Sequence, residues 1–131
     1  MVDSKPFSQA CQNNRQPILE RIKAVFTEPA TILEIGTGTG QHAVYFAAEL
    51  SHLTWQPSDR PGGAGHSLGW IQEAALANIR PPLELDVSLG NWPIDTIDGA
   101  YSANTAHIMS WEEVEAMFAG LAKRLIAGGL F

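Results

Sequence analysis

The stretch Thr31–Phe46, TILEIGTGTGQHAVYF, decides the fold. An apolar run passes directly into three glycines at alternate positions, Gly36, Gly38 and Gly40, and the apolar pattern then resumes. Each glycine inside regular structure costs roughly 0.5–1 kcal/mol of backbone entropy relative to alanine, so a strand that needed only burial would not carry them. ATILEI reads as a short central parallel strand, apolar on both faces except at Glu34. Gly40 to Leu50 reads as a helix packing through Ala43, Val44, Phe46, Ala47 and Leu50. Between them, Gly36 permits a tight turn, Gly38 allows something to approach the bare backbone, and Gly40 lets helix pack on strand.

Working outward, Met1 to Asn13 is polar and aperiodic and reads as a loose N-terminal arm. Asn14 can cap a helix running to about Phe26, with Pro17 in its first turn and a stripe of Ile18, Leu19, Ile22, Val25 and Phe26. HLTWQPSD, His52 to Asp59, is a second strand with Pro57 at its end. RPGGAGHS is a glycine-rich loop before a helix over about Leu68 to Asn78. Further strands follow over Pro82–Val87 and Ile97–Asn104. Ser110 to Glu113 has capping-box spacing ahead of a helix with Val114, Met117, Phe118, Leu121 and Leu125 on one stripe. Gly128-Gly129 is expected to end that helix and open a fifth strand. Strands alternating with helices of this length predict an α/β fold, a doubly wound, mostly parallel sheet with right-handed crossovers.

The 131 residues suit one domain, and 45% hydrophobic with 17% charged residues is globular. The net charge of −6 and scattered basic residues argue against a nucleic-acid groove. The single cysteine, Cys11, excludes an internal disulfide, and four histidines without pair spacing carry no metal signal. With no apolar leader and no span-length apolar run, the reading is a cytoplasmic protein without membrane association.

In such a sheet, ligands lie outside the carboxyl ends of the strands, where strand order reverses. The glycines run G-x-G-x-G rather than G-x-G-x-x-G, and Glu34 stands two residues before the first. A carboxylate there repels a diphosphate and suits an ammonium or sulfonium. Asp59, closing the second strand, is placed to accept both ribose hydroxyls. Asp86, closing the third beside Val87, could meet an adenine amino group. Three acids around one glycine turn fit a cationic adenosine derivative.

These residues resemble the class I S-adenosylmethionine-dependent methyltransferases: LEIGTGTG, the acid of PSD, LDV and the closing LIAGGLF follow that superfamily's order. More narrowly, NNRQPILE, GTGQHAVYFAAELSHLTWQPSD and ANTAHIMSW are similar to the DUF938 family, which includes methyltransferase-like protein 26. The resemblance implies a Rossmann-like fold over residues 14–131 and S-adenosylmethionine as cofactor, with S-adenosylhomocysteine as product. It implies that Glu34, Gly36, Thr37, Gly38 and Gly40 form the cofactor turn and that Asp59 holds the ribose. Asp86 and Val87 would line the adenine, Asn104 would face the methionine part, and Gln41 and His42 would sit at the cofactor's edge. Arg15 could clamp a substrate carboxylate from the first helix.

The superfamily continues past the fifth strand with a helix and two strands, so a chain closing at Phe131 is expected to lack its C-terminal strands. The exposed sheet edge would then pair with another chain, a homo-oligomer contact.

Methyl transfer is an in-line displacement at a sulfonium carbon, so alignment and desolvation do most of the work. His107, after the fourth strand, is the candidate base if the acceptor carries a high-pKa proton. The expected activity is methyl transfer to a small molecule. A cofactor-binding module without turnover and a nicotinamide-dependent oxidoreductase are the alternatives.

Overall fold

A computed structural model describes residues 9–88, 92–94, 96–102 and 111–130, with side chains left undescribed at 9–14, 64 and 126–130. The helices are α1 (Gln9–Val25), α2 (Gln41–Glu49), α3 (Leu68–Ala74) and α4 (Trp111–Arg124). The strands are β1 (Ala30–Ile35), β2 (Leu53–Asp59), β3 (Leu83–Glu84), β4 (Ile97–Tyr101) and β5 (Leu125–Leu130). They form one five-stranded sheet in the order β3-β2-β1-β4-β5, and each neighbouring pair is parallel. From β1 the chain winds outward through β2 to β3, then returns to the other side of β1 as β4. The reversal falls between β1 and β4, where Glu34 pairs with Tyr101. None of the described helices is long and apolar enough to cross a membrane.

Strand alternation sends the apolar residues of β1 to two cores. On one face, Ile32 packs with Leu19 and Ile22 of α1, Ala43, Phe46 and Ala47 of α2, and Leu53 and Trp55 of β2. On the other face, Leu33 and Ile35 pack with Leu85, Val87, Trp92, Ala100 and, from α4, Met117 and Leu121. Gly120 belongs to that second contact: a Cβ there would lie 2.1 Å from Trp92. Both faces of β1 are therefore covered, as a continuous apolar run requires.

The bounds of α1, α3, β3, α4 and β5 and the place of Pro57 in β2 differ from the sequence expectation. Helix α1 begins at Gln9, so Pro17 lies in its interior rather than its first turn, and Gln9 to Asn13 belong to the helix rather than to an arm. Helix α3 stops at Ala74, with Ala75 at φ +51° donating its N–H to Ile71 O. Asn78 instead ties α2 to β2, its amide donating to Ala47 O and Leu53 O at 2.9 Å. Strand β3 shrinks to two residues behind Pro81 and Pro82, which bring no N–H donors. Pro57 sits inside β2, next to β3. Trp55 and Asp59 bond outward to Asn78, Arg80 and Leu85, and the intervening Pro57 falls where that pairing is interrupted. Helix α4 ends at Arg124 because Leu125 already pairs with Ile97 of β4, so Gly128 and Gly129 lie within β5 instead of ending a helix.

Candidate functional site

The β1–α2 turn is built on the end of β2. The N–H groups of Gly36 and Thr37 both donate to Ser58 O at 2.9 Å, and the buried Ser58 hydroxyl donates back to Glu34 O at 2.6 Å. Gly36, Gly38 and Gly40 all take positive φ, +82°, +57° and +87°, a region that disfavours side chains. Their surroundings differ. A Cβ on Gly40 would lie 2.8 Å from Ser67 Cβ, so this glycine lets α2 pack against the 3-10 turn Ala64–Ser67 rather than against a strand. A Cβ on Gly38 would meet nothing within 4 Å. The turn is thus closed on one side and open above Gly38.

Asp59 stands at that opening. One carboxylate oxygen accepts the Gly38 N–H at 3.0 Å, and the other accepts the Arg60 N–H at 2.9 Å. The glycine-rich loop folds back onto the same carboxylate, since a Cβ on Gly63 would lie 3.2 Å from Asp59 Cγ. Each carboxylate oxygen has lone pairs for more than one donor, so the group can still accept from a diol.

Glu34 has another task. It is only 3% exposed, and one of its oxygens accepts from the Thr37 hydroxyl at 2.7 Å and from Trp55 Nε1–H at 3.0 Å. Burial pushes its carboxyl above the ordinary value of 4.5, and the charge of Asp59 adds to the rise, against the lowering effect of both hydrogen bonds. Thr37 is buried in the same contact. Sequence reading missed Trp55, Ser58 and Ser67, because their roles depend on strand register and on a loop crossing. The signal for Trp55 is the pairing of Ile32 with Trp55, which puts that indole on the face that carries Glu34.

At the start of α2, the Thr39 hydroxyl accepts the Gln41 N–H at 3.2 Å and donates to Gln41 Oε1 at 2.9 Å. His42 is buried: its ring lies 5.0 Å from that of Phe46, and its Nδ1 is 3.2 Å from the Tyr101 hydroxyl. Asp86 turns to its own loop, accepting the N–H of Ser88 at 3.0 Å and its hydroxyl at 2.5 Å. Those bonds hold its carboxyl below the usual range. Val87 is buried in the second core, and Trp92 fills the same core with the Arg124 guanidinium 4.9 Å from its ring. Arg15 lies over the Tyr45 ring at 4.5 Å, joining α1 to α2. Asn104 and His107 lie outside the described residues.

The structure therefore gathers Glu34, Gly36, Thr37, Gly38, Gly40 and Asp59 at one place, beside the strand-order reversal. This is the fold of the class I S-adenosylmethionine-dependent methyltransferases. The structure of the S-adenosylmethionine-dependent methyltransferase SibL in its apo form matches with a TM-score of 0.78 at 24% identity, over 92% of this chain and 35% of that one. An O-methyltransferase family protein from Burkholderia thailandensis matches with a TM-score of 0.76 at 19% identity, over 92% and 38%. PKMT2 from Rickettsia typhi in complex with AdoHcy matches at 0.67 and 20% identity, over 86% and 23%. The chain belongs to the DUF938 family, described as protein of unknown function, whose family pattern matches residues 5–131. The chain spans less than two fifths of the length of each of these three proteins.

Proposed function

We propose that the turn Gly36–Gly40 binds S-adenosylmethionine and that the protein transfers its methyl group to a small molecule. The carrying observation is the Asp59 carboxylate held 3.0 Å from the Gly38 N–H, beside backbone with open space above it. A ribose diol donates two hydrogen bonds to such a carboxylate, and the bare backbone accepts close approach of the rest of the cofactor. When bound, the cofactor supplies a methyl group made electrophilic by its sulfonium. The residues of this chain orient and exclude water: Asp59 grips the sugar, Glu34 locks the turn through Thr37 and Trp55, and Gly40 fixes the start of α2. His107 is our candidate for accepting a proton from the methyl acceptor, and Asn104 for contacting the methionine part.

A second reading is a cofactor-binding module without turnover, favoured by the roles of the groups gathered at the turn: the Thr37 hydroxyl donates to Glu34 and Asp59 accepts the Gly38 N–H, which are packing and binding roles. Thermal shift with S-adenosylhomocysteine and with NAD, followed by a methyl-transfer screen on small-molecule pools, separates the readings. Stabilisation by S-adenosylhomocysteine with methyl transfer supports the enzyme, and stabilisation without transfer supports the module. Stabilisation by NAD alone would replace both with an oxidoreductase.

A further inference from the structure

Helix α1 runs against the direction of the strands. At its end, His52 Nε2–H donates to Phe26 O at 2.7 Å, and His52 directly precedes β2, so this end lies at the amino edge of the sheet. From Phe26 back to Arg15 the helix climbs about 16 Å at 1.5 Å per residue. The six residues of β1 climb about 20 Å. The half-buried Arg15 therefore stands near the carboxyl edge, at the level of the glycine turn.

Contact with α2 holds it there. The Arg15 guanidinium lies over the Tyr45 ring, with Cζ 4.5 Å from the centroid, and Tyr45 is about one turn into α2. The ring is itself braced from α1: the Tyr45 hydroxyl donates to Gln16 Oε1 at 2.6 Å, and Gln16 Nε2–H donates to Glu20 at 3.0 Å. Three residues before Tyr45, His42 meets the Tyr101 hydroxyl at the end of β4, so this part of α2 borders the strand-order reversal. A ring face steadies a cation without accepting a conventional hydrogen bond, so the contact consumes none of the five N–H donors. A guanidinium braced in this way presents a fork that fits a carboxylate.

We propose that Arg15, braced on Tyr45, binds a carboxylate at the α1–α2 margin of the glycine-turn site. The proposal rests on the cofactor reading of that turn. Two sources can supply the carboxylate there, the amino-acid end of the cofactor or the methyl acceptor, and both present the same chemistry to Arg15.

The test uses the whole chain and two-dimensional NMR at the Arg15 Nε–H, assigned by its loss in Arg15→Gln. Propionate and its neutral amide, propionamide, are the probes. Propionate should shift that signal saturably, and propionamide should not. The titration is repeated with protein saturated by S-adenosylhomocysteine, alongside calorimetry of S-adenosylhomocysteine and of methylthioadenosine, which lacks the carboxylate. If the cofactor supplies the carboxylate, propionate loses its effect on the saturated protein. Arg15→Gln then binds S-adenosylhomocysteine about tenfold more weakly than wild type, with methylthioadenosine unchanged. If the acceptor supplies it, propionate still shifts the signal, and S-adenosylhomocysteine binds Arg15→Gln and wild type equally. No response to propionate in the free, folded protein at high millimolar concentration would overturn the proposal, as would equal responses to propionate and propionamide. Binding of S-adenosylhomocysteine beside that silence would leave the cofactor reading standing. A propionate response without S-adenosylhomocysteine binding would do the reverse, keeping the Arg15 position and removing the cofactor.

Discussion

Asp59 closes β2 and Asp86 follows β3 by two residues, so both carboxylates stand at the carboxyl edge of one parallel sheet. Asp59 reaches across to a different segment, receiving the Gly38 N–H, and has the 60–63 loop folded against it. Asp86 is spent locally: both of its bonds come from Ser88, two residues on. The two halves of the edge differ because the seven-residue β2 pairs with β1 along all six residues of β1, whereas β3 has only two residues of pairing. A long, registered strand delivers its terminal side chain to a neighbouring turn. A short one leaves its acid to cap its own chain.

The sharpest way to break this contrast is to spoil the turn that Asp59 serves. Gly40→Val adds a side chain at φ +87° and a Cβ 2.8 Å from that of Ser67. Strain and overpacking together should cost about 3 kcal/mol, lowering Tm by about 10 °C in a thermal melt. A melt within a degree or two of wild type would mean that α2 does not pack on the 3-10 turn.

Glu34→Gln keeps the acceptor for Thr37 and Trp55 but removes the ionisation. The folded carboxyl titrates above its ordinary value, so its contribution to stability is full below about pH 4.5 and is lost as pH rises through the raised folded value. The Gln variant should therefore match wild type in acid and exceed it increasingly toward neutral pH, as read from denaturant melts across pH. A constant difference between the two proteins at every pH would contradict the buried placement of Glu34.

Ser88→Ala should have the smallest effect. Removing the hydroxyl donor should raise the Asp86 carboxyl toward its ordinary value in a 13C NMR titration, with Tm nearly unchanged. An unmoved titration would show that Asp86 is not held by Ser88.

What was legible in the sequence follows the same division. The β1–turn–α2 unit could be read from Thr31–Phe46 because its signals are local: an apolar strand, glycines needing positive φ, then helical spacing. Asp59 could be placed because a strand end beside a glycine turn leaves few positions for it. The direction of the Asp86 side chain could not be read from its rank among strand ends, although Ser88 two residues on is the mark of a side-chain-capped turn. The role of Glu34 also escaped, since its partner Trp55 lies on another strand and is found only through register. The start of α1 was missed because Gln9–Asn13 carries no apolar stripe, and the shortness of β3 because Val87 and Leu85 look like strand residues while packing from irregular chain.

The most direct test of the central claim is calorimetric titration of S-adenosylhomocysteine into wild type, Asp59→Ala and Asp86→Ala, each checked for native far-ultraviolet circular dichroism. Two hydroxyls donating to one carboxylate are worth about 3 kcal/mol, so Asp59→Ala should weaken binding about a hundredfold. Asp86→Ala, whose carboxylate serves its own loop, should bind within about threefold of wild type, a difference below 1 kcal/mol. No heat from folded wild type, or equal affinity in wild type and Asp59→Ala, would contradict the account.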